Sequence, residues 1–334
     1  MKLSDNEFKS AFSLDFPLIM APMFLVSNIE MIKAAMRNGI MGVFPSLNFR
    51  DKSELTKTLS ELSEFKMHNI NGSYGVNLIV QKSNLYLKDH LDLCIKYKVP
   101  FFITSLGNPI HVIQKAHDYG AKVYCDVTNL EHANKCASLN CDGFIAVGKK
   151  AGGHAGPFSL DKLVPDLRKE FPQIPVIAAG GIATGDKMYQ VMQLGASGVM
   201  MGTRFIASDE AGVSKDYKDA IVNAKSDDIV FTKRLSGTPC AVINTPYVEK
   251  LGTEPTYFES LVQRSTKLKG LMKRLIQYRG MKFLEKSVKP GNYNNIWSAG
   301  RSVEEINEIL SIDEIIDMIK IQYTKFSQNQ GKVP

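Results

Sequence analysis

The chain has 334 residues, of which 44% are hydrophobic and 22% charged, and its formal net charge is +7. This composition is typical of a globular protein and excludes collagen-like, intrinsically disordered and disulfide-stabilised miniature proteins. A chain of this length buries most of its apolar surface, so it needs no disulfide or structural metal for stability. One large domain of about 250 residues with a smaller second one fits the length.

The cysteines indicate a reducing compartment. They are odd in number and no two form a Cys-x-x-Cys pair, which argues against a disulfide framework and against a zinc or iron–sulfur site. Residues Met1 to Ser13 lack the apolar core of a signal peptide, and no apolar run approaches the ~20 residues of a membrane span. We therefore expect a cytoplasmic protein that is not inserted in a membrane.

The positive charge is concentrated in one segment. Between Arg264 and Lys289 there are nine basic residues and one acidic residue, Glu285. Leucines and a methionine recur there at helical spacing, so the segment is predicted to be an amphipathic basic helix. A solvated helix face is the preferred interpretation, with a membrane surface or an acidic carrier protein as alternatives. Nucleic acid ranks last because no nucleic-acid motif accompanies the segment.

A repeated unit runs through the first 200 residues: an apolar run, a polar or glycine-bearing break, and a segment of helical periodicity. Near-continuous apolar strands are typical of a parallel sheet covered by helices. The eight predicted strands are Pro17–Ala21, Met41–Pro45, Tyr74–Val80, Phe101–Ser105, Lys122–Val127, Gly143–Val147, Val176–Ala179 and Gly198–Met201.

Several breaks carry helix-start chemistry. Ser27 with Glu30, and Thr128 with Glu131, form predicted capping boxes, and Gly39 stands where the first of these helices should end. Eight such units favour an α/β fold of the (β/α)₈ TIM-barrel type over an open doubly wound sheet. The glycine pattern agrees, because no Gly-x-Gly-x-x-Gly follows the first strand.

The rhythm ends after the eighth strand, which sets the predicted domain boundaries. Residues 1–207 are predicted to form the barrel and residues 208–295 a smaller, mostly helical second domain. Residues 296–323 return to the barrel with a helix over Val303–Ile321, and residues 324–334 form a polar, frayed tail.

Glycine-rich exits follow strands seven and eight. Ala179-Gly180-Gly181 and Gly202-Thr203 lie where barrels of this type bind phosphate through backbone N–H groups. Such glycines also serve simply to make tight turns. Because both pairs occur at the two expected strands, we favour a phosphorylated ligand.

His154 is the predicted catalytic residue. It follows Gly152 and Gly153 at the end of strand six, on the face where barrel active sites lie, and a neutral imidazole there can act as a base near pH 7. No neighbouring Ser or Cys suggests a nucleophile, which disfavours acyl-transfer hydrolysis. The acid at a strand end, Asp126, has no second carboxylate as a glycosidase requires, and Asp126 with His154 lacks a third metal ligand, so no metal site is predicted.

Taken together, the motifs resemble the nitronate monooxygenase family, formerly called 2-nitropropane dioxygenases. The resemblance extends from about Pro17 to Asn244 and includes the stretch Trp297–Gly300. The motifs, in family order, are Ala21-Pro22-Met23, Gly75-Val76-Asn77-Leu78, Ala151-Gly152-Gly153-His154, Ala178-Ala179-Gly180-Gly181, Leu194-Gly195-Ala196 and Met201-Gly202-Thr203-Arg204-Phe205.

The resemblance implies a barrel that binds FMN without a covalent link and oxidises alkyl nitronates with O₂ to carbonyl compounds and nitrite. His154 matches the active-site histidine of the family. By position, the phosphate would lie against Ala179, Gly180, Gly181, Gly202 and Thr203. The flavin ring and ribityl chain would lie against Ala21, Pro22, Met23, Asn77, Asp126, Gly152 and Gly153.

This sequence departs from the family pattern near the flavin. It has Val147 and Lys150 where members often carry Gln and Glu, and Asp126 where some relatives place a lysine. Lys149 and Lys150 are therefore candidate ligands for an anionic substrate or a phosphate-bearing tail. We therefore expect a substrate that differs from that of well-known members of the family.

Two groups of alternatives remain at this point. Flavin-dependent enoyl-acyl-carrier-protein reductases and NADH:quinone reductases use the same scaffold, and Lys149, Lys150 and the basic segment would suit NAD(P)H or an acidic carrier protein. A flavin-free isomerase or aldolase acting on a sugar phosphate, or a binding protein without activity, would also accommodate the phosphate loops. The oligomeric state is open, with a homodimer as one alternative.

Overall fold

The structure is a computed structural model that describes residues 6–68, 70–233, 239–254 and 296–330. The basic segment predicted over Arg264–Lys289 lies outside the described residues. Among the residues described, none of the helices has the length and apolar character needed to cross a bilayer.

The strands form one closed parallel barrel in chain order, with β1 paired to both β2 and β8. The predicted (β/α)₈ class is therefore confirmed. The strands are β1 Leu18–Met20, β2 Met41–Pro45, β3 Ser73–Ile79, β4 Phe101–Ser105, β5 Lys122–Val127, β6 Gly143–Val147, β7 Val176–Ala179 and β8 Gly198–Met201. All bounds but those of β1 and β3 match the prediction, and these two differ by one residue at each end.

Helices cover the outside of the barrel and extend beyond it. The helices are α1 Glu7–Ala11, α2 Ile29–Arg37, α3 Lys52–Lys66, α4 Leu87–Lys96, α5 Ile110–His117, α6 Leu130–Ala137, α7 Leu160–Glu170, α8 Gly185–Gln193, α9 Thr203–Ile206, α10 Lys215–Asn223, α11 Pro246–Leu251 and α12 Ile312–Gln330.

The barrel is closed at the N-terminal end of its strands. Phe8 of α1 is fully buried, and its ring contacts Phe101, the first residue of β4, and Tyr124 of β5 at centroid distances of 6.3 and 5.9 Å. The inward apolar side chains of the strands pack with Phe8 in one cluster, while the outward ones pack under the helices. A ligand must therefore enter from the opposite end, where the strands end.

Both predicted capping boxes were wrong by one residue. The N-cap of α2 is Asn28, whose Oδ1 accepts from the Met31 N–H at 3.0 Å, and the N-cap of α6 is Asn129, which accepts from the His132 N–H at 2.8 Å. Asn caps a helix as well as Ser or Thr does. Ser27 instead accepts from the Met23 N–H at 2.9 Å and so closes the turn after β1. Gly39 ends α2 as predicted, with a φ of +72°.

The predicted C-terminal helix also required correction. Residues Arg301–Glu305 form a 3₁₀ turn, and α12 begins only at Ile312. A capping box sets that start, because Ser311 Oγ accepts from the Glu314 N–H at 3.2 Å and Glu314 accepts from the Ser311 N–H at 2.9 Å. The helix continues to Gln330 through residues predicted as a frayed tail, since Phe326 packs on Tyr189 at 5.5 Å.

The residues between α9 and α12 were predicted to be mostly helical, but they also contain a pair of strands. Strands β9 (Ile229–Thr232) and β10 (Cys240–Ile243) form an antiparallel pair. Strands of four residues are too short to show a clear alternation of polar and apolar residues. The separate second domain over residues 208–295 stays a prediction.

Candidate functional site

The glycine loop after β7 fits against the loop after β6. Gly180 has a φ of +107° and Gly181 a φ of +77°, a conformation that other residues rarely adopt. A Cβ atom on Gly180 would lie 2.7 Å from the Ala151 backbone nitrogen, and one on Gly181 would lie 2.7 Å from the Lys150 Cβ. Only glycine fits at both positions, so the loop can present backbone N–H groups at close range to an anion.

The exits of β8 and β1 lie side by side. The Ala21 N–H donates to the Met201 carbonyl at 2.9 Å, and a Cβ atom on Gly202 would lie 3.5 Å from the Ala21 Cβ. Ala21 and Met23 are buried, and Pro22 is half-buried. Thr203 is buried, and its Oγ1 accepts from the Gly300 N–H at 3.0 Å. This side of the rim is therefore tied to the segment that precedes α12.

The loop that carries the predicted catalytic histidine is held between β10 and residues 296–300. The Ala241 N–H donates to the Gly153 carbonyl at 2.7 Å, and Ser298 Oγ donates to the Ala241 carbonyl at 3.2 Å. Gly152 and Gly300 approach so closely that a Cβ atom on Gly300 would lie 2.7 Å from the Gly152 nitrogen. The inserted residues therefore position this loop.

His154 lies on the rim and is exposed to solvent. The surrounding loops nevertheless desolvate the imidazole, which lowers the pKa of His154 below its usual value. The ring is therefore neutral at pH 7 and can accept a proton. This is the protonation state that the predicted role as a base requires.

The two predicted substrate lysines are placed differently. Both are exposed, but the side chain of Lys150 lies along Gly181, where a Cβ atom would also meet the Lys150 Cδ at 3.0 Å. The backbone N–H of Lys149 donates to the Phe158 carbonyl at 2.7 Å. The structure thus associates Lys150 with the loop predicted to bind phosphate.

A chain of polar side chains occupies the ends of β3, β4 and β5. Asn77 Nδ2 donates to the Ser105 Oγ at 2.8 Å, and Ser105 Oγ donates to the Asp126 Oδ2 at 2.5 Å. Asp126 Oδ1 is buried and has no hydrogen-bond partner in the part of the chain that the structure describes. Burial raises the pKa of Asp126 to about 6, and the hydrogen bond from Ser105 opposes that shift.

The predicted site residues thus fall into two groups on one end of the barrel. Backbone N–H groups and glycines follow β6, β7 and β8 beside the exit of β1, and the polar chain occupies the ends of β3, β4 and β5. The first group suits an anion and the second a polar ring. Ser105 was missed, although its alternation with Ile103 in a correctly predicted strand points it into the barrel. Ala241 and Ser298 come from the insert, and no local sequence signal links them to the loop after β6.

Comparisons with known proteins agree with this geometry. A sequence profile of the nitronate monooxygenase family matches residues 20–321. A probable nitronate monooxygenase from Staphylococcus saprophyticus is 31% identical over 299 residues, which cover 75% of this chain and 81% of that protein. One from Staphylococcus aureus strain JH9 is 27% identical over 290 residues, covering 74% of this chain and 80% of the relative.

Solved structures show the same similarity. FabK from Thermotoga maritima superposes with a TM-score of 0.82 at 28% identity, covering 98% of this chain and 99% of that one. A nitroalkane oxidase from Streptomyces ansochromogenes has a TM-score of 0.76 at 20% identity, with 97% and 99% covered, and it shows the fold alone. The family profile extends from the end of β1 into α12. The resemblance read from the motifs is confirmed: the chain is an oxidoreductase and belongs to the nitronate monooxygenase family.

Proposed function

We propose that this protein is an FMN-dependent nitronate monooxygenase that oxidises alkyl nitronates with O₂ to carbonyl compounds and nitrite. The observation that carries the proposal is the direct contact between the glycine loop after β7 and the loop that leads to His154. This contact places the glycine loop, which suits an anion, next to the loop of His154 at the open end of the barrel. The family membership supports the same reaction.

The residues present fit FMN at both ends. Backbone N–H groups of Gly180, Gly181, Gly202 and Thr203 would hold the phosphate, next to Ala179 and with the Lys150 side chain alongside. The exit of β1 (Ala21, Pro22 and Met23), the Gly152-Gly153 turn, Asn77 and Asp126 would surround the ring and the ribityl chain. FMN, when bound, supplies the electron-transfer chemistry that no amino-acid side chain provides.

The work of the chain is to bind and orient the substrate and to handle its proton. A neutral His154 takes a proton from the carbon of a nitroalkane, and the resulting imidazolium then faces the anionic nitro group that it has created. When the substrate arrives already as a nitronate, the same ring orients it. The lowered pKa of His154 keeps the imidazole in its proton-accepting form at pH 7.

The spectrum of the FMN-loaded protein tests the proposal. We would record the visible flavin bands under anaerobic conditions during addition of NADH, then NADPH, then an alkyl nitronate. Bleaching by the nitronate and not by the pyridine nucleotides is the expected result. Rapid bleaching by NADH or NADPH would overturn the proposal.

An NAD(P)H-dependent reductase of enoyl-acyl-carrier-protein or quinone substrates is the second candidate function. Lys149 and Lys150 favour it, because two exposed cations beside the glycine loops would suit the phosphates of a dinucleotide. Rapid bleaching by NADH in the same titration would select this function over nitronate oxidation.

The role of His154 has its own test. We expect His154→Asn to bind FMN as the native protein does and to lose turnover of neutral nitroalkanes by about 100-fold or more, the usual range for a general base. His111→Asn, a change at an exposed histidine on α5, is the matched control. Equal turnover by His154→Asn and the native protein would exclude the role.

A further inference from the structure

The polar chain at the ends of β3, β4 and β5 has a fixed hydrogen-bond direction. Asn77 Nδ2 lies 3.1 Å from the Ile103 carbonyl oxygen, which can only accept, so the atom at this position is the amide nitrogen. The same nitrogen donates to Ser105 Oγ at 2.8 Å. Because the Ser105 oxygen already accepts from Asn77, the Ser105 hydroxyl donates its own proton to Asp126 Oδ2.

This direction decides which oxygen of Asp126 is offered to a ligand. Oδ2 is used as an acceptor by Ser105, while Oδ1 is buried without a partner in the described part of the chain. A proton gained by Asp126 goes to Oδ1, because on Oδ2 it would face the Ser105 proton. The carboxyl group therefore offers an acceptor at Oδ1 when ionised and a donor at the same point when protonated.

Among the residues that the structure describes, the neighbours of Asp126 supply no compensating cation. The influences on its pKa are burial and the Ser105 hydrogen bond. The strand β6 places Ile145 beside it in register, and α6 contributes the titratable Cys136, whose own pKa is raised in part by the Asp126 charge. The ionised carboxylate is stabilised by Ser105 at Oδ2 alone, so a hydrogen-bond donor from the ligand at Oδ1 would stabilise it further.

We propose, on the basis of the proposed function, that Asp126 Oδ1 accepts a hydrogen bond from the imide N–H of the bound flavin ring, and that Asn77 and Ser105 are positioning residues that hold it in this acceptor state. The ligand class this selects is a planar ring with an N–H donor on its edge. A ring with only carbonyl oxygens on that edge is disfavoured by the negative charge.

The inference predicts a pH dependence of flavin affinity. Above the Asp126 pKa of about 6, the carboxylate accepts a hydrogen bond from the ring N–H. Below this pKa, Oδ1 carries a proton, so two hydrogen-bond donors face each other and the bond is lost. Linkage to one such ionisation weakens binding about tenfold between pH 7.5 and pH 5. The phosphate of FMN and His154 also titrate toward acid pH. The test therefore compares the pH dependence of FMN affinity in the native protein with that in the variants.

The experiment measures the dissociation constant of FMN, by quenching of its fluorescence, across this pH range. In Asp126→Asn the side-chain oxygen takes the Ser105 hydrogen bond and the NH₂ faces the ring. We expect affinity about tenfold below native at pH 7.5, without the native acid-side loss. In Ser105→Ala a protonated Asp126 can place its proton on Oδ2, so the loss at acid pH should shrink. Asp118→Asn, at an exposed residue after α5, should bind as the native protein does.

The outcomes separate this inference from the proposed function. If the native protein binds FMN and Asp126→Asn shows native affinity and native pH dependence, the inference is wrong and the proposed function stands. If the native protein binds no FMN at any pH, the proposed function itself fails. Should Asp126→Asn not fold, Ser105→Ala decides, since an unchanged pH dependence in that variant would overturn the fixed direction.

Discussion

At the scale of single residues, the ionised form of Asp126, the proposed flavin ligand, lowers the stability of the fold. Its folded-state pKa of about 6 lies above the ordinary value of 3.8, so the folded protein binds the proton more tightly than the unfolded chain does. The ionised group therefore destabilises the fold, fully above pH 6 and less and less as the pH falls toward 4. Functional residues commonly impose such a penalty.

We expect Asp126→Asn to stabilise the flavin-free protein by about 2–3 kcal/mol at pH 7.5, from the size of the pKa shift, and by little at pH 4. Urea unfolding of both proteins at the two pH values measures this difference. An equal effect of the substitution at pH 7.5 and pH 4 would contradict the assignment of the penalty to ionisation.

A second prediction at this scale concerns Gly180, for which Gly120 is a matched control. Gly180 and Gly120 both have a positive φ, +107° and +84°, so an alanine strains the backbone at either position by about 1 kcal/mol. A Cβ atom at Gly180 would collide with Ala151, whereas one at Gly120 would meet nothing within 4 Å. Only the Gly180 substitution should therefore distort the loop.

We expect Gly180→Ala to lose at least tenfold in FMN affinity and Gly120→Ala to keep native affinity, with fluorescence quenching as the measurement. Equal FMN affinities in the two variants would mean that the close approach of the loops after β6 and β7 has no part in binding.

At the scale of elements, most strands could be predicted from the sequence because each is a short, mostly apolar run bounded by glycine or polar residues. Strand β3 was less certain at its edges, since Ser73 pairs with Met41 in the ladder although its side chain is polar. The predicted N-cap residue was wrong where two residues that can cap a helix are adjacent. At Ser27-Asn28 and Thr128-Asn129 the choice depends on the turn that leaves the strand, which is a tertiary feature.

The site was predictable to a similar extent and for related reasons. Residues at strand ends could be assigned because parallel strands of a barrel all end on one face. The contacts of Ala241 and Ser298 with the loop after β6 could not be predicted, because hydrogen bonds between segments distant in the chain leave no local sequence pattern. The direction of the Asn77, Ser105 and Asp126 chain likewise depends on register across three strands.

At the scale of the whole molecule, the barrel is completed by the end of the chain. The strand β8 is followed only by the four-residue α9, and α12 packs against α8 and α2 in place of the eighth covering helix. Arg204 ties the two regions together: it donates to the Ala207 and Glu308 carbonyls at 2.9 and 2.7 Å, and burial lowers its pKa to about 10, which leaves it charged at pH 7.

This closure predicts that a defect in α12 destabilises the barrel. Ile319 is fully buried against the barrel helices, while Ile321, two residues on, is 54% exposed. Truncation of a buried isoleucine to alanine costs about 2–5 kcal/mol, whereas an exposed one has little effect. We expect Ile319→Ala to lower the midpoint of urea unfolding, followed by far-ultraviolet circular dichroism, and Ile321→Ala to leave it near the native value.

The shape of the unfolding transition shows whether α12 unfolds together with the barrel. If α12 is an integral part of the barrel, Ile319→Ala shifts a single cooperative transition, and bound FMN raises its midpoint in native and variant alike. A separate early transition that leaves flavin binding intact would show instead that α12 is peripheral. In that case the barrel would be stable with β8 covered only by α9, and the return of the chain after the insert would serve the site through Gly300 rather than the fold.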